Sequence, residues 1–327
     1  MNGGNAGRGG ARALASLSLD LDNQWSYLKT HGDPGWEALP SYLDVVVPLL
    51  LRLFDETGVT ASVFVVGQDA ALDRNAEAFG LLGASRHEVA NHSFKHEPWL
   101  HLYTAAQIDD ELQRAHDAIG TATGRVPTGF RGPGYSVSAP LLEALRAKGY
   151  TYDASTLPTW IGPLARAYYF RTARLSKEER KRREGLFGSF RDGAKPVAPY
   201  RWTLPGGGLV ELPVTVMPVL RVPFHVSYLL YLHQVSPALA RGWFRAGLRL
   251  CRLTGVEPSI LLHPLDLLGG DDVGGLAFFP GMGMAGEAKR ALVAECVAAL
   301  AERYAVVPVG THADAIGKRS LPARTFG

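Results

Sequence analysis

Cysteine is scarce: only Cys251 and Cys296 occur among 327 residues, both in apolar, helix-like surroundings. That excludes a disulfide framework and any cysteine-based zinc finger, and it points to buried thiols in a reducing compartment. Excess charge of one sign is also missing. A formal net charge of +3 leaves no electrostatic basis for binding nucleic acid. Long apolar runs are absent too. A spanning helix needs about 18 or more uninterrupted apolar residues, and the nearest candidate, 213–232, carries three prolines and Arg221. Residues 1–14 start Gly/Asn-rich and polar without the apolar stretch of a secretory signal, so they read as a disordered leader on a cytoplasmic protein.

What is present is a β-then-α rhythm in a chain that is 46% hydrophobic. Apolar, β-branched runs predict strands over 15–22, 60–66, 88–91, 128–131, 150–154, 209–216, 258–262 and 304–309. Helical spacing predicts helices over 41–57, 69–82, 104–123, 138–148, 237–254 and 286–303. Such repeats imply an α/β fold with a parallel sheet, and about seven units fit a distorted (β/α)7-type barrel better than an open sheet. A basic stretch within about 160–207 belongs to no unit and reads as an insertion in a single domain, 15–312, followed by a flexible tail, 313–327. In such barrels chemistry collects at the carboxyl ends of strands. Asp20, His92, Arg131, Asp153 and His263 all sit at expected strand ends.

Asp20 and Asp22 are two apart on a strand, and His92 and His96 are four apart. One carboxylate plus two imidazoles can hold a divalent metal with positions left open for water and substrate, which is the catalytic arrangement. A helical 92–96 segment would bring both imidazoles onto one face. Each pair alone has a plainer reading: acids that cap a turn, or histidines on a surface or in a core. Trp25, Tyr27, His31 and Trp36 follow the acids in an expected loop, 23–40, where aromatic rings either wall a sugar site or pack the loop. His101, His116, His225, His233 and His312 lack partner motifs and read as surface or packed side chains, and Asp266 as a loop-shaping acid.

In this order the motifs resemble those of the polysaccharide deacetylases, carbohydrate esterase family four with the NodB-homology fold. The family's Thr-Phe-Asp-Asp appears as Ser18-Leu19-Asp20-Leu21-Asp22, and its histidine motif as His92-Ser93-Phe94-Lys95-His96. Arg131-Gly132-Pro133-Gly134-Tyr135 and Leu261-Leu262-His263-Pro264 match two more, while the remaining motif reduces to Asp153, with Trp160 as its aromatic. The resemblance implies Asp22, His92 and His96 as metal ligands and Asp20 as general base, oriented and kept ionised by Arg131. It implies His263 as general acid fixed by Asp153, and the Tyr135 backbone N–H as an oxyanion donor, with Trp25 and Trp36 at the substrate. The ligand set fits zinc best and accepts cobalt, nickel or iron.

The implied activity is N-deacetylation of an acylated amino sugar. A deformylase, an allantoinase-like amidohydrolase and an inactive carbohydrate-binding relative are the alternatives. The extra residue between the acids departs from the family pattern. It keeps Asp20 and Asp22 on one side of the strand, and it leaves the substrate open. Arg166, Arg171, Arg174 and the basic residues of 177–183 interleave with Tyr168, Tyr169 and Phe170, and Phe187 and Phe190 follow. This mixture suits an anionic membrane surface or a diphosphate, so a lipid-linked sugar and peripheral membrane contact through 164–192 and 213–232 are expected.

Overall fold

The structure, a computed structural model, describes residues 12–173, 175–182 and 190–326. Most of the expected leader, with Arg174 and 183–189 of the basic insertion, lies outside these residues. The chain opens with strand β1 (Leu14–Leu21), helices α1 (Gln24–His31) and α2 (Leu43–Glu56), and β2 (Ser62–Val65). Short α3 (Gly67–Ala70), α4 (Ala76–Ala84), β3 (Glu88–Asn91) and long α5 (Ala105–Thr123) follow. Next come β4 (Gly129–Phe130), α6 (Ala139–Ala147), β5 (Tyr152–Asp153) and, in the insertion, α7 (Gly162–Thr172) and α8 (Lys177–Arg182). The hairpin β6 (Tyr200–Leu204) and β7 (Gly207–Glu211) precedes a small pair, β8 (Val216–Met217) and β9 (Val222–Pro223). The chain ends with α9 (Val226–Val235), α10 (Pro237–Thr254), β10 (Ser259–Leu262), α11 (Gly286–Ala301), β11 (Ala305–Val307), α12 (Val309–Gly317) and β12 (Ala323–Arg324).

The fold is α/β, as the rhythm predicts. The main sheet runs β10-β1-β2-β3-β4-β5-β7-β6-β12, with β11 also on β1, and all its pairings are parallel except β6–β7. β1 is buried along almost its whole length because strands flank it on both sides. Its alternation sorts the two faces. Leu17, Leu19 and Leu21 join the large core under the outer helices, while Ser16, Ser18 and Asp20 point inward. On that inner face Phe64, Ala90 and Tyr152 pack against Val309, Ala313 and Ile316 of α12.

Residues 212–215 run between the two ends of the sheet. After β7 the chain crosses the gap, with Leu212 N–H donating to Asp153 O and Val214 N–H to Thr156 O, each at 2.9 Å. Thr215 then bonds β10: its N–H reaches Ser259 O at 2.9 Å and its Oγ1 accepts Ser259 N–H at 2.7 Å. No ladder joins β10 to β5 or β7 among the described residues, and Thr215 bridges the two ends of the sheet.

Local chemistry explains the boundaries. Thr104 caps α5 through a reciprocal box with Gln107, and Gly124 ends that helix at φ 67°. The single helix expected over 69–82 is divided: Asn75 Nδ2 donates to Asp69 O, and a 3-10 turn separates α3 from α4. The tail expected to be flexible carries the end of α12 and a strand on β6. Both cysteines are free and buried, and burial pushes each thiol up to about 12. No helix of the described residues is long and apolar enough to cross a membrane.

Candidate active site

The carboxyl ends of β1, β3, β4 and β10 deliver the polar side chains. Asp20 and Asp22 emerge from β1, and Tyr42 Oη donates to Asp22 O at 2.6 Å, anchoring that end of the strand. The segment after β3 is not helical. Ser93 and His96 adopt left-handed backbone at φ 62° and 51°, so turns, and not a helical face, bring the two imidazoles together. The turn is held from outside: Asn91 Oδ1 accepts Ser93 N–H, and the buried Glu111 carboxylate of α5 accepts Phe94 N–H and Lys95 N–H at 3.1 and 2.9 Å.

Asp22, His92 and His96 converge, their donor atoms all within 4.8 Å of one another, and all three are buried. His92 Nδ1 lies 2.7 Å from Arg131 O. That contact assigns the ring proton to Nδ1 and turns the Nε2 lone pair inward, as a carbonyl behind a ligating histidine does. His92 Nε2 and His96 Nε2 lie 3.4 and 2.9 Å from Asp22 Oδ1, yet no hydrogen bond of good geometry satisfies that buried oxygen. Burial opposes ionisation of Asp22, but His96 and His92 outweigh it and hold the carboxyl well below its usual range. An anionic oxygen facing two imidazole nitrogens in a closed space fits a divalent ion.

Arg131 is fully buried and ties Asp20 in place. Its Nη1 donates to Asp20 Oδ1 at 2.7 Å and to Ser18 Oγ at 2.9 Å, its Nε donates to Ala154 O at 3.0 Å, and the guanidinium lies over the Phe64 ring. The other oxygen, Asp20 Oδ2, stands 3.9 Å from His92 Nε2, beside the ligand set.

Asp153 has its own partners. It sits on β5, between β4 and β7, away from β10 in the sheet order. Ser155 Oγ donates to it at 2.5 Å, and it faces Glu211, whose carboxylate accepts Trp202 Nε1 and Thr156 N–H. Burial pushes both carboxyls up, Glu211 further because Asp153 faces it. The hydrogen bonds of His263 run to other groups. His263 Nδ1 lies 3.0 Å from Ser227 Oγ, Ser227 donates to Asp266 Oδ2 at 3.0 Å, and the same oxygen accepts His263 N–H at 2.8 Å.

These groups open into a cleft of about 510 Å³, lined by Asp20, Asp22, His92, His96 and His263. Its walls are aromatic: Tyr27, Tyr135, Tyr169, Tyr228, Phe278 and Phe279. Trp25 and Trp36 are not among them. The expected loop 23–40 is largely α1, and helical spacing puts Tyr27 and His31 on the cleft side while Trp25 turns inward. Trp25 is fully buried and its Nε1 donates to Asp69 Oδ1, whose carboxyl burial raises to about 7. Trp36 lies under the Lys29 ammonium, on the core side. Tyr135 reaches the cleft through its ring, because its backbone N–H is donated to Gly132 O at 3.0 Å within a tight turn and is not free for an oxyanion.

Several residues of this site carry no signal in the sequence, Phe278 and Phe279 of the walls among them. His225, Ser227 and Tyr228 stand at the start of α9 in an apolar stretch with no motif to mark them.

A sequence profile described as polysaccharide deacetylase matches residues 33–152, a span containing His92, His96 and Arg131 but not Asp20, Asp22 or His263. A curated peptidoglycan deacetylase from Helicobacter pylori is 30% identical over 165 residues, 48% of this chain and 53% of that protein, so the chain spans about half the relative's length. A solved Mycobacterium smegmatis protein assigned to the polysaccharide deacetylases shares the fold, with TM-score 0.64 and 21% identity over 97% of this chain and 94% of that one. A Pseudomonas aeruginosa PAO1 protein of the same assignment does so with TM-score 0.58 and 17% identity over 94% and 92%. Over residues 33–152 this chain is similar to the polysaccharide deacetylases, and its fold is shared with solved proteins assigned to them.

Proposed function

We propose that the protein is a metal-dependent N-deacetylase of an N-acetylated amino sugar. The observation that carries this reading is the meeting of Asp22, His92 and His96 in one cleft with Asp20 and His263. Asp22, His92 and His96 would hold the ion, zinc by preference, with cobalt, nickel or iron accepted by the same donors. Bound there, the ion supplies Lewis acidity toward the acyl carbonyl and lowers the pKa of water. Asp20 Oδ2 takes the proton of the attacking water as its oxygen bonds to the acyl carbon, while Arg131 holds Oδ1 away from that task. His263 gives its proton to the nitrogen as the C–N bond breaks, leaving a free amine and acetate. Aromatic walls suit the apolar faces of a sugar ring.

The test is acetate release from N-acetylglucosamine oligomers and from peptidoglycan fragments, with formate and ammonia measured alongside. Acetate that disappears with a chelator and returns with zinc or cobalt is expected. Formate or ammonia in its place gives the site to one of the amidohydrolase alternatives, and no product from any substrate removes the enzyme reading.

The same reading extends to a lipid-linked sugar. Leu164, Phe190, Val219 and Leu220 expose large apolar side chains within 164–192 and 213–232. Basic residues lie in the same segments, a combination that suits an anionic lipid surface. The protein is then expected to float with anionic vesicles and not with neutral ones; remaining at the bottom of both gradients excludes the extension.

A further inference from the structure

The deacetylase reading gives His263 a proton to deliver, and the Asp153 carboxylate expected behind it accepts from Ser155 and faces Glu211. Two neighbours hold the ring instead. Ser227, on the first turn of α9, has its Oγ 3.0 Å from His263 Nδ1 and 3.0 Å from Asp266 Oδ2. A hydroxyl carries one proton. An ionised carboxylate can only accept, so that proton belongs to the Ser227–Asp266 bond, and Ser227 Oγ accepts from His263 Nδ1–H. Asp266 is buried and also receives His263 N–H at 2.8 Å. Burial pushes the Asp266 carboxyl up, opposed by His263, by its hydrogen bonds and by Lys289, whose buried ammonium holds the Leu265 and Leu268 carbonyls at 2.8 Å each.

We infer that Ser227 and Asp266 are positioning residues that fix the His263 tautomer and ring plane, keeping Nδ1 protonated and Nε2 available to the cleft. The order along the chain of bonds is His263, Ser227, Asp266, with the serine in the middle. That order distinguishes it from a nucleophile triad, in which the imidazole lies between the other two and takes the serine proton. Ser227 here gives its proton away from the imidazole and is not activated for attack. The inference rests on the deacetylase reading for what His263 does, and on geometry alone for how His263 is held.

Long-range 1H–15N NMR of histidine-labelled protein reads the tautomer without any substrate, so the inference can fail separately from the proposed activity. The neutral His263 ring is expected to carry its proton on Nδ1 in the wild type. In Ser227→Ala the ring should move toward the Nε2–H form, while Ser227→Thr, which keeps the hydroxyl, should preserve the wild-type signal. Where acetate release is measurable, kcat of Ser227→Ala should fall by about 10²-fold, the scale of a misplaced reacting group, with KM and metal content unchanged. Asp266→Asn should follow Ser227→Ala in both readouts; if it does not fold, the serine variants decide. A wild-type ring protonated at Nε2, or a tautomer indifferent to Ser227→Ala, overturns the relay.

Discussion

Asp20→Asn is expected to lower turnover by roughly 10²–10⁴-fold, the usual contribution of a positioned general base, while leaving bound metal in place. The asparagine is close to isosteric, and its side-chain oxygen can still accept from Arg131 Nη1, so the strand end keeps its shape. What disappears is the proton-accepting Oδ2 beside His92 Nε2. Arg131 is fully buried, and the substitution leaves it facing a neutral partner. Some loss of stability follows, smaller than the roughly 3–5 kcal/mol that complete removal of a partner from a buried pair costs. Steady-state acetate release, a thermal melt and metal content on one preparation separate these effects. Turnover equal to wild type would take Asp20 out of the base role.

Much of the fold was legible because its signals are local. β3 at Glu88–Asn91 and α10 at Pro237–Thr254 fall where apolar period and caps place them. Asp20 and His263 stand at strand ends for the same reason, since each closes an apolar run, Leu14–Leu21 and Ser259–Leu262, while His92 and Arg131 follow the shorter strands β3 and β4. What failed to show in the sequence depends on partners far along the chain. The His92–His96 turn is shaped by Glu111 on α5, and a spacing of four suggests a helix only when no such outside carboxylate intervenes. The carboxylate facing Asp153, Glu211, could not be read from the sequence because it comes 58 positions later, at the end of β7. Trp25 and Tyr27 are two residues apart, and only knowledge that 24–31 is helical separates the core-facing ring from the cleft-facing one. Ser227 acquires meaning only when α9 is laid beside His263.

The second large effect concerns the ligands themselves. Asp22 is the sole carboxylate of the three converging side chains, and its oxygen lies closest to both inward ring nitrogens. Asp22→Ala leaves two imidazoles and no anion, which removes a primary ligand and the charge that neutralises a divalent ion. The loss of affinity should exceed the 10–100-fold typical of deleting an outer partner of a metal ligand, and acetate release should fall with it. Folding should survive, because Asp22 lies just beyond the end of β1, where Tyr42 holds the backbone carbonyl and not the carboxylate.

The central claim is a single divalent site shared by Asp22, His92 and His96. Elemental analysis of wild type and Asp22→Ala, purified and dialysed side by side, tests it most directly. About one ion per chain in the wild type, as a single three-ligand site requires, and little or none in the variant is the expected result. Equal metal in both proteins, or none in a wild type that still releases acetate, contradicts it.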